Sequence, residues 1–172
     1  MRFDIVSANP KILEDVLRHG LISRAESKEL VSTHVHSLRD YAEGRYKQID
    51  DVPYGGGTGM VLKPEPLFKC IEELLSQREY DEIIYLSPQG VKYDQRKANE
   101  LSLKGSLMLI CGHYKGIDER VIRKFVTLEL SIGDYVLSCG DIAALAVVDS
   151  VARLLPGALG DGDSAITDSF QV

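Results

Sequence analysis

Apolar positions along this chain fall into two alternating patterns. The first is a short, dense run closed by turn residues: RFDIVS (2–7), the β-branched ELVSTHVHSL (29–38), DEIIYLS (81–87), SLMLICG (106–112) and FVTLELS (125–131). Of these runs, the first reads as a short strand and the second as β-rich, while the last three are dense enough to predict buried strands. The DEIIYLS strand should end at Pro88-Gln89-Gly90, and the FVTLELS strand at a turn carrying Gly133. The second pattern repeats every three to four residues. In PKILEDVLRHG (10–20), Ile12, Leu13, Val16 and Leu17 share one helical face, with Gly20 as the stop. Pro64 and Pro66 open a helix striped by Leu67, Ile71, Leu74 and Leu75. Residues 94–104 form a helix stopped by Gly105, and IDERVIRKF (117–125) turns Ile117, Val121 and Ile122 inward. Residues 141–155 are apolar on several sides and stop at Pro156-Gly157. Such a helix is buried all round, and a subunit interface is one way to cover it. Strand and helix in alternation define an α/β domain with a largely parallel sheet.

Composition narrows the setting. At 172 residues the chain fits one domain, 1–158, before the Gly-, Asp- and Ser-rich LGDGDSAITDSFQV, which reads as a linker over 159–172. No apolar run approaches a membrane span, and MRFDIVSANP is too acidic and too poor in apolar residues for a signal peptide. A cytoplasmic protein with no membrane partner is expected. Cys70, Cys111 and Cys139 stand far apart, and the four histidines complete no ligand spacing with them, so no metal site is expected. Free buried thiols suit a reducing compartment. A net charge of −6 argues against whole-surface affinity for nucleic acid but leaves local basic patches open. Arg39, Arg45, Lys47 and Lys63 make one such cluster, and Lys92, Arg96 and Lys97 a second.

The first cluster flanks PYGGGTGM (53–60), with glycines at 55, 56, 57 and 59. This is no Walker loop, because GxxxxGK[ST] is absent. Nor is it a dinucleotide fingerprint, since it follows a polar segment and two prolines precede the next helix. Candidate ligand chemistry lies later. The turns LSPQG (86–90), CGHYKG (111–116) and SIGDYVLSCGD (131–141) follow three buried strands, and ligands bind at the carboxyl ends of parallel strands. A pocket walled by main chain suits a neutral adenine and offers no cation cluster for a triphosphate.

In order, PYGGGTGMVL, YLSPQG, CGHYKGIDERV, LSIGDYVLSCGD, VVDSVARLLPGALG and TDSF resemble the successive motifs of the bacterial tRNA (guanine-N(1))-methyltransferases, of the SPOUT class. The resemblance covers nearly the whole chain. It implies a mostly parallel sheet with helices on both faces and a deep C-terminal trefoil knot. It implies methyl transfer from S-adenosylmethionine to N(1) of guanosine at position 37 of tRNA, next to the anticodon, with Mg2+ as an activator but no dedicated site for it. The family's cofactor residues correspond to Leu86, Ser87, Pro88, Gly112, Tyr114, Ser131, Ile132, Gly133, Asp134, Tyr135, Val136, Leu137 and Gly140. Asp168 corresponds to the general base that removes the N(1) proton. Arg153 corresponds to the cation that stabilises charge on the exocyclic oxygen. Tyr54, Gly55, Gly59 and Lys115 would contact the substrate, bare backbone letting a flipped base approach. Family members are homodimers with the site at the subunit interface and continue into a helical second domain.

Taken singly, these residues read otherwise. Asp168 could cap a helix, Arg153 could complement a helix dipole, and Tyr114 and Tyr135 could be core aromatics. The chain also departs from the family's pattern: Lys115 stands for a Glu, His113 for an Arg, Cys139 for a Gly and Thr58 for a Pro. A SPOUT protein acting on another RNA, or a non-catalytic RNA-binding module, is the alternative these departures leave open.

Overall fold

A computed structural model describes residues 1–53, 55–159 and 169–170. Strands β1 (Arg2–Ser7), β2 (Ser32–Ser37), β5 (Glu82–Lys92), β6 (Ser106–Cys111) and β7 (Leu128–Ser131) form one sheet in the order β2-β1-β6-β5-β7. Every pairing in it is parallel. The short β3 (Asp50–Asp51) and β4 (Val61–Leu62) pair antiparallel beside it. Helices α1 (Pro10–Leu17), α2 (Gly20–Ser27), α4 (Gln95–Ser102) and α6 (Asp141–Ala152) cover one face, while α3 (Pro64–Gln77) and α5 (Glu119–Phe125) cover the other. The strands' period of two divides the core between these faces. Phe3, Ile5, Leu107 and Leu109 pack toward α6, whereas Val6, Met108 and Ile110 pack toward α3. Among the described residues no helix is long and apolar enough to cross a membrane.

Several expectations change. Only Leu13 and Leu17 of the first helical stripe are buried; Ile12 and Val16 are about half exposed, and Leu75 is partly exposed. Gly20, at φ +66°, does more than stop α1: it opens α2, whose buried Ile22 and Ala25 are too sparse a pattern to announce a helix. Strand β5 does not end at Pro88-Gln89-Gly90. It bulges there and re-pairs, Val91 with Leu130 and Lys92 with Ser131. Gly90 makes this possible, because a Cβ on it would stand 2.5 Å from the Glu129 carbonyl carbon. The apolar α6 is covered mostly by its own chain, through α1, α2 and α4, and only an outward strip with Ile142 and Ala146 stays exposed.

At the sheet edge, His34 and His36 engage charged neighbours. His36 Nε2 donates to Asp4 Oδ1 over 2.7 Å, and Arg2 grips both oxygens of the fully buried Asp4 at 2.6 and 2.9 Å. Burial pushes the Asp4 pKa up, but the hydrogen bonds from His36 and Arg2 outweigh it and hold the carboxyl well below the usual range. A depressed folded pKa contributes stability above the unfolded value, near 4, and loses it as pH falls below that. Asp4→Asn should therefore cost about 3 kcal/mol at pH 7. The deficit relative to wild type should shrink in urea melts repeated at progressively lower pH.

Candidate active site

Loops at the carboxyl ends of β5, β6 and β7 enclose a cavity of about 500 Å³, within the range of small-molecule and cofactor sites. Its walls are 86–89 from the β5 bulge, 112–117 after β6, and the crossing 131–140 that leads from β7 to α6. Glycines let these segments meet. Gly140 N–H donates to Gly112 O over 2.7 Å, and a Cβ on Gly140 would stand 2.8 Å from Gly112 N. His113 and Cys139 form an antiparallel bridge, and His113 Nδ1 lies 3.0 Å from Ser138 O. Ser131 Oγ donates to Gly133 O over 2.9 Å, folding the start of the crossing. At Gly133 a Cβ would meet the exposed Tyr135 ring at 2.3 Å, so a side chain there would displace that ring from its place at the cavity.

The crossing is anchored below by a buried carboxylate. Asp141, the first residue of α6, accepts a hydrogen bond from Ser7 Oγ at the end of β1, and Asn9 N–H donates to that same Oγ over 2.8 Å. Cys111 and Cys139 face the carboxylate as well. Burial, then Asp141, push the thiol pKa up, well above the usual value for Cys111, which keeps both as neutral thiols rather than nucleophiles. The sequence reading missed this anchor. Ser7 and Asp141 are 134 residues apart, and neither lies in a recognisable pairing motif.

The expected cofactor residues Leu86, Ser87, Pro88, Gly112, Tyr114, Ser131, Ile132, Gly133, Tyr135, Val136, Leu137 and Gly140 all line the cavity. Asp134 does not. It points to solvent and pairs with Lys92 at 3.6 Å. Tyr114 and Tyr135 are exposed at the cavity rather than core aromatics. Tyr114 has a positive φ of 58° and packs at a 50° tilt against His113, with ring centroids 4.3 Å apart. Such a backbone is strained for a non-glycine residue.

The glycine loop borders the same opening. Gly55, Gly56, Gly57 and Gly59 all have positive φ, and Cβ atoms on the first three would meet nothing within 4 Å. Gly59 differs: a Cβ there would lie 2.8 Å from Lys115 Cε. The space beside Gly59 is occupied by the stem of the exposed Lys115 side chain. Lys115 N–H donates to Met60 O and Leu62 N–H to Gly116 O, both over 3.0 Å, fastening the loop's exit to the 112–117 segment. Tyr54 and Asp168 lie outside the described residues. Arg153 does not line the cavity. It is the C-cap of α6, whose 12 residues span roughly 18 Å and put it at the opposite end from Gly140. Among the described residues no group of three or more His, Cys, Asp or Glu side chains is arranged to hold a metal ion.

An open parallel sheet with a pocket at the carboxyl ends of its strands defines an α/β protein with a site sized for a small molecule. The tRNA (Guanine-1)-methyltransferase TrmD family matches residues 1–172. The tRNA (guanine-N(1)-)-methyltransferase of Chlorobaculum tepidum is 56% identical over 171 residues, covering 99% of this chain and 74% of that protein. The protein of the same name from Bacteroides fragilis is 46% identical over 99% of this chain and 76% of its own length. Among solved structures, the tRNA (m1G37) methyltransferase from Aquifex aeolicus matches with a TM-score of 0.86 at 40% identity, covering 94% of this chain and 72% of that one. The chain belongs to the tRNA (guanine-1)-methyltransferase family.

Proposed function

We propose that this protein transfers the methyl group of S-adenosylmethionine to N(1) of guanosine 37 in tRNA. Family membership gives the reaction class, and the observation that carries the reading to this chain is the glycine-walled cavity. Its lining includes all but one of the residues expected at the methyl donor. The pocket's size fits an adenine and ribose, with Tyr114 and Tyr135 on its walls. When bound, the donor supplies an electrophilic methyl group on a sulfonium.

The chain's own task is to make N(1) nucleophilic. Asp168 takes the N(1) proton, contributing about 10²- to 10⁴-fold. Arg153 stabilises the negative charge that builds on the exocyclic oxygen. Because α6 separates Arg153 from the cavity of its own chain, we assign Arg153 and Asp168 to the cavity of a second copy in a homodimer. Exposed Ile12 and Val16 on α1 and Ile142 on α6 supply apolar surface for that contact. The crossing 131–140, pressed between the β5 bulge and the 112–116 loop before α6, supports a trefoil knot. The proposal extends to a catalytic domain over 1–158 followed by a linker, to a cytoplasmic setting, and to Mg2+ as an activator without an assigned residue. Incubation with methyl-labelled donor and tRNA transcripts carrying G or A after the anticodon tests it. Label should enter only the G transcript, and equal labelling of both would sink the substrate assignment.

A further inference from the structure

Lys115 stands at the cavity mouth with its charge uncommitted. Neighbouring lysines are each close to a carboxylate: Lys47 to Asp40 at 3.7 Å, Lys63 to Asp51 at 3.8 Å and Lys92 to Asp134 at 3.6 Å. Lys115 has no carboxylate within ion-pair distance among the described residues, and its Nζ reaches only the neutral Thr58 hydroxyl, at a long 3.4 Å. Yet the side chain is not loose. Its stem lies along Gly59, where a Cβ would strike Cε, Cδ and Cγ at 2.8, 3.1 and 3.3 Å. Its backbone is fixed by the bond from Lys115 N–H to Met60 O. A surface lysine ordinarily loses rotamer freedom when it binds, and here part of that freedom is already gone.

Direction decides what the charge is for. The 112–117 segment is held on two sides: residues 112 and 113 by the crossing at 139 and 140, residues 115 and 116 by 60 and 62. The Lys115 stem runs along the second side and ends at Thr58, so its ammonium faces the glycine loop rather than the crossing that walls the donor pocket. Beside it, the space over Gly55, Gly56 and Gly57 is open. We infer that Lys115, braced by Gly59 and Thr58, is a preformed phosphate contact that grips the tRNA backbone beside the nucleotide entering the pocket. A compact point charge suits a phosphate, which asks for no planar fork. In a protein of net charge −6, each such local contact also offsets general repulsion of the RNA.

This rests on tRNA being the substrate. The test is equilibrium tRNA binding across a potassium chloride series, with donor affinity measured in parallel by calorimetry. Lys115→Gln should lower the slope of log affinity against log salt by about one and weaken binding at low salt about tenfold. Lys115→Arg should keep the slope, and Lys115→Gln should leave donor affinity at the wild-type value. An unchanged slope in Lys115→Gln overturns the inference, as does a loss of donor affinity, which would put the ammonium on the donor's carboxylate. A wild-type protein that binds no tRNA overturns the substrate reading itself.

Discussion

Gly140→Ala is expected to abolish methyl-donor binding and to lower stability by about 2 kcal/mol. At φ −76° the backbone at 140 suits any residue, so the effect is purely steric. The added methyl would lie 2.8 Å from Gly112 N and 3.0 Å from Cys111 Cα. Those atoms belong to the end of β6, which is paired with β1 on one side and β5 on the other, so they cannot retreat without moving the centre of the sheet. The crossing must move instead, and it forms a wall of the pocket. Gly56→Ala makes the control, since its methyl meets nothing within 4 Å and pays only for a positive φ, about 1 kcal/mol. Thermal melts and calorimetric titration with the donor separate the two variants. A Gly140→Ala protein that binds the donor like wild type would show that the crossing does not shape the site.

Asp168→Asn should reduce turnover by at least about 100-fold while donor affinity stays near wild type. The amide keeps the shape of the side chain but cannot accept the N(1) proton at neutral pH. Its sharper use is in a mixture. If the site is shared across a homodimer as proposed, a subunit with a damaged pocket can still lend Asp168 and Arg153 to a partner whose pocket is intact. Random pairing of Gly140→Ala with Asp168→Asn subunits makes about half the dimers mixed, each with one complete site. Activity should therefore reappear on mixing and refolding two inactive proteins. Continued inactivity in mixed dimers would place the base in the same chain as the donor it serves.

Much of the fold was legible because burial imposes a period. The parallel strands and the helices α1, α3, α4, α5 and α6 follow from runs and stripes that local spacing reveals. What escaped reading depends on contacts distant in sequence. Gly20 looked like a stop because nothing local says that a helix of two buried residues follows it. Gly90 looked like a strand end because its close approach to Glu129 exists only once β5 and β7 are paired. The site divides the same way. Glycine-bearing turns at strand ends marked the cavity from the sequence alone. The motif resemblance supplied the lining residues, and the structure brings them together except for Asp134. Neither the clasp of Lys115 on Gly59 nor the bond from Ser7 to Asp141 could be read, since both join segments with no shared period. Gly59 shows the consequence: the stem of Lys115 lies beside it, a neighbour that no local spacing announces.

The central claim is tested most directly by finding the methyl group. After reaction with the donor, tRNA is cut with a base-specific ribonuclease, and the fragments and their nucleosides are identified by mass spectrometry. N(1)-methylguanosine should appear in the anticodon-loop fragment, at the residue immediately 3′ of the anticodon, and should disappear with Asp168→Asn. A methyl group on a ribose oxygen, on the exocyclic nitrogen of guanine or in another part of the tRNA would contradict the account.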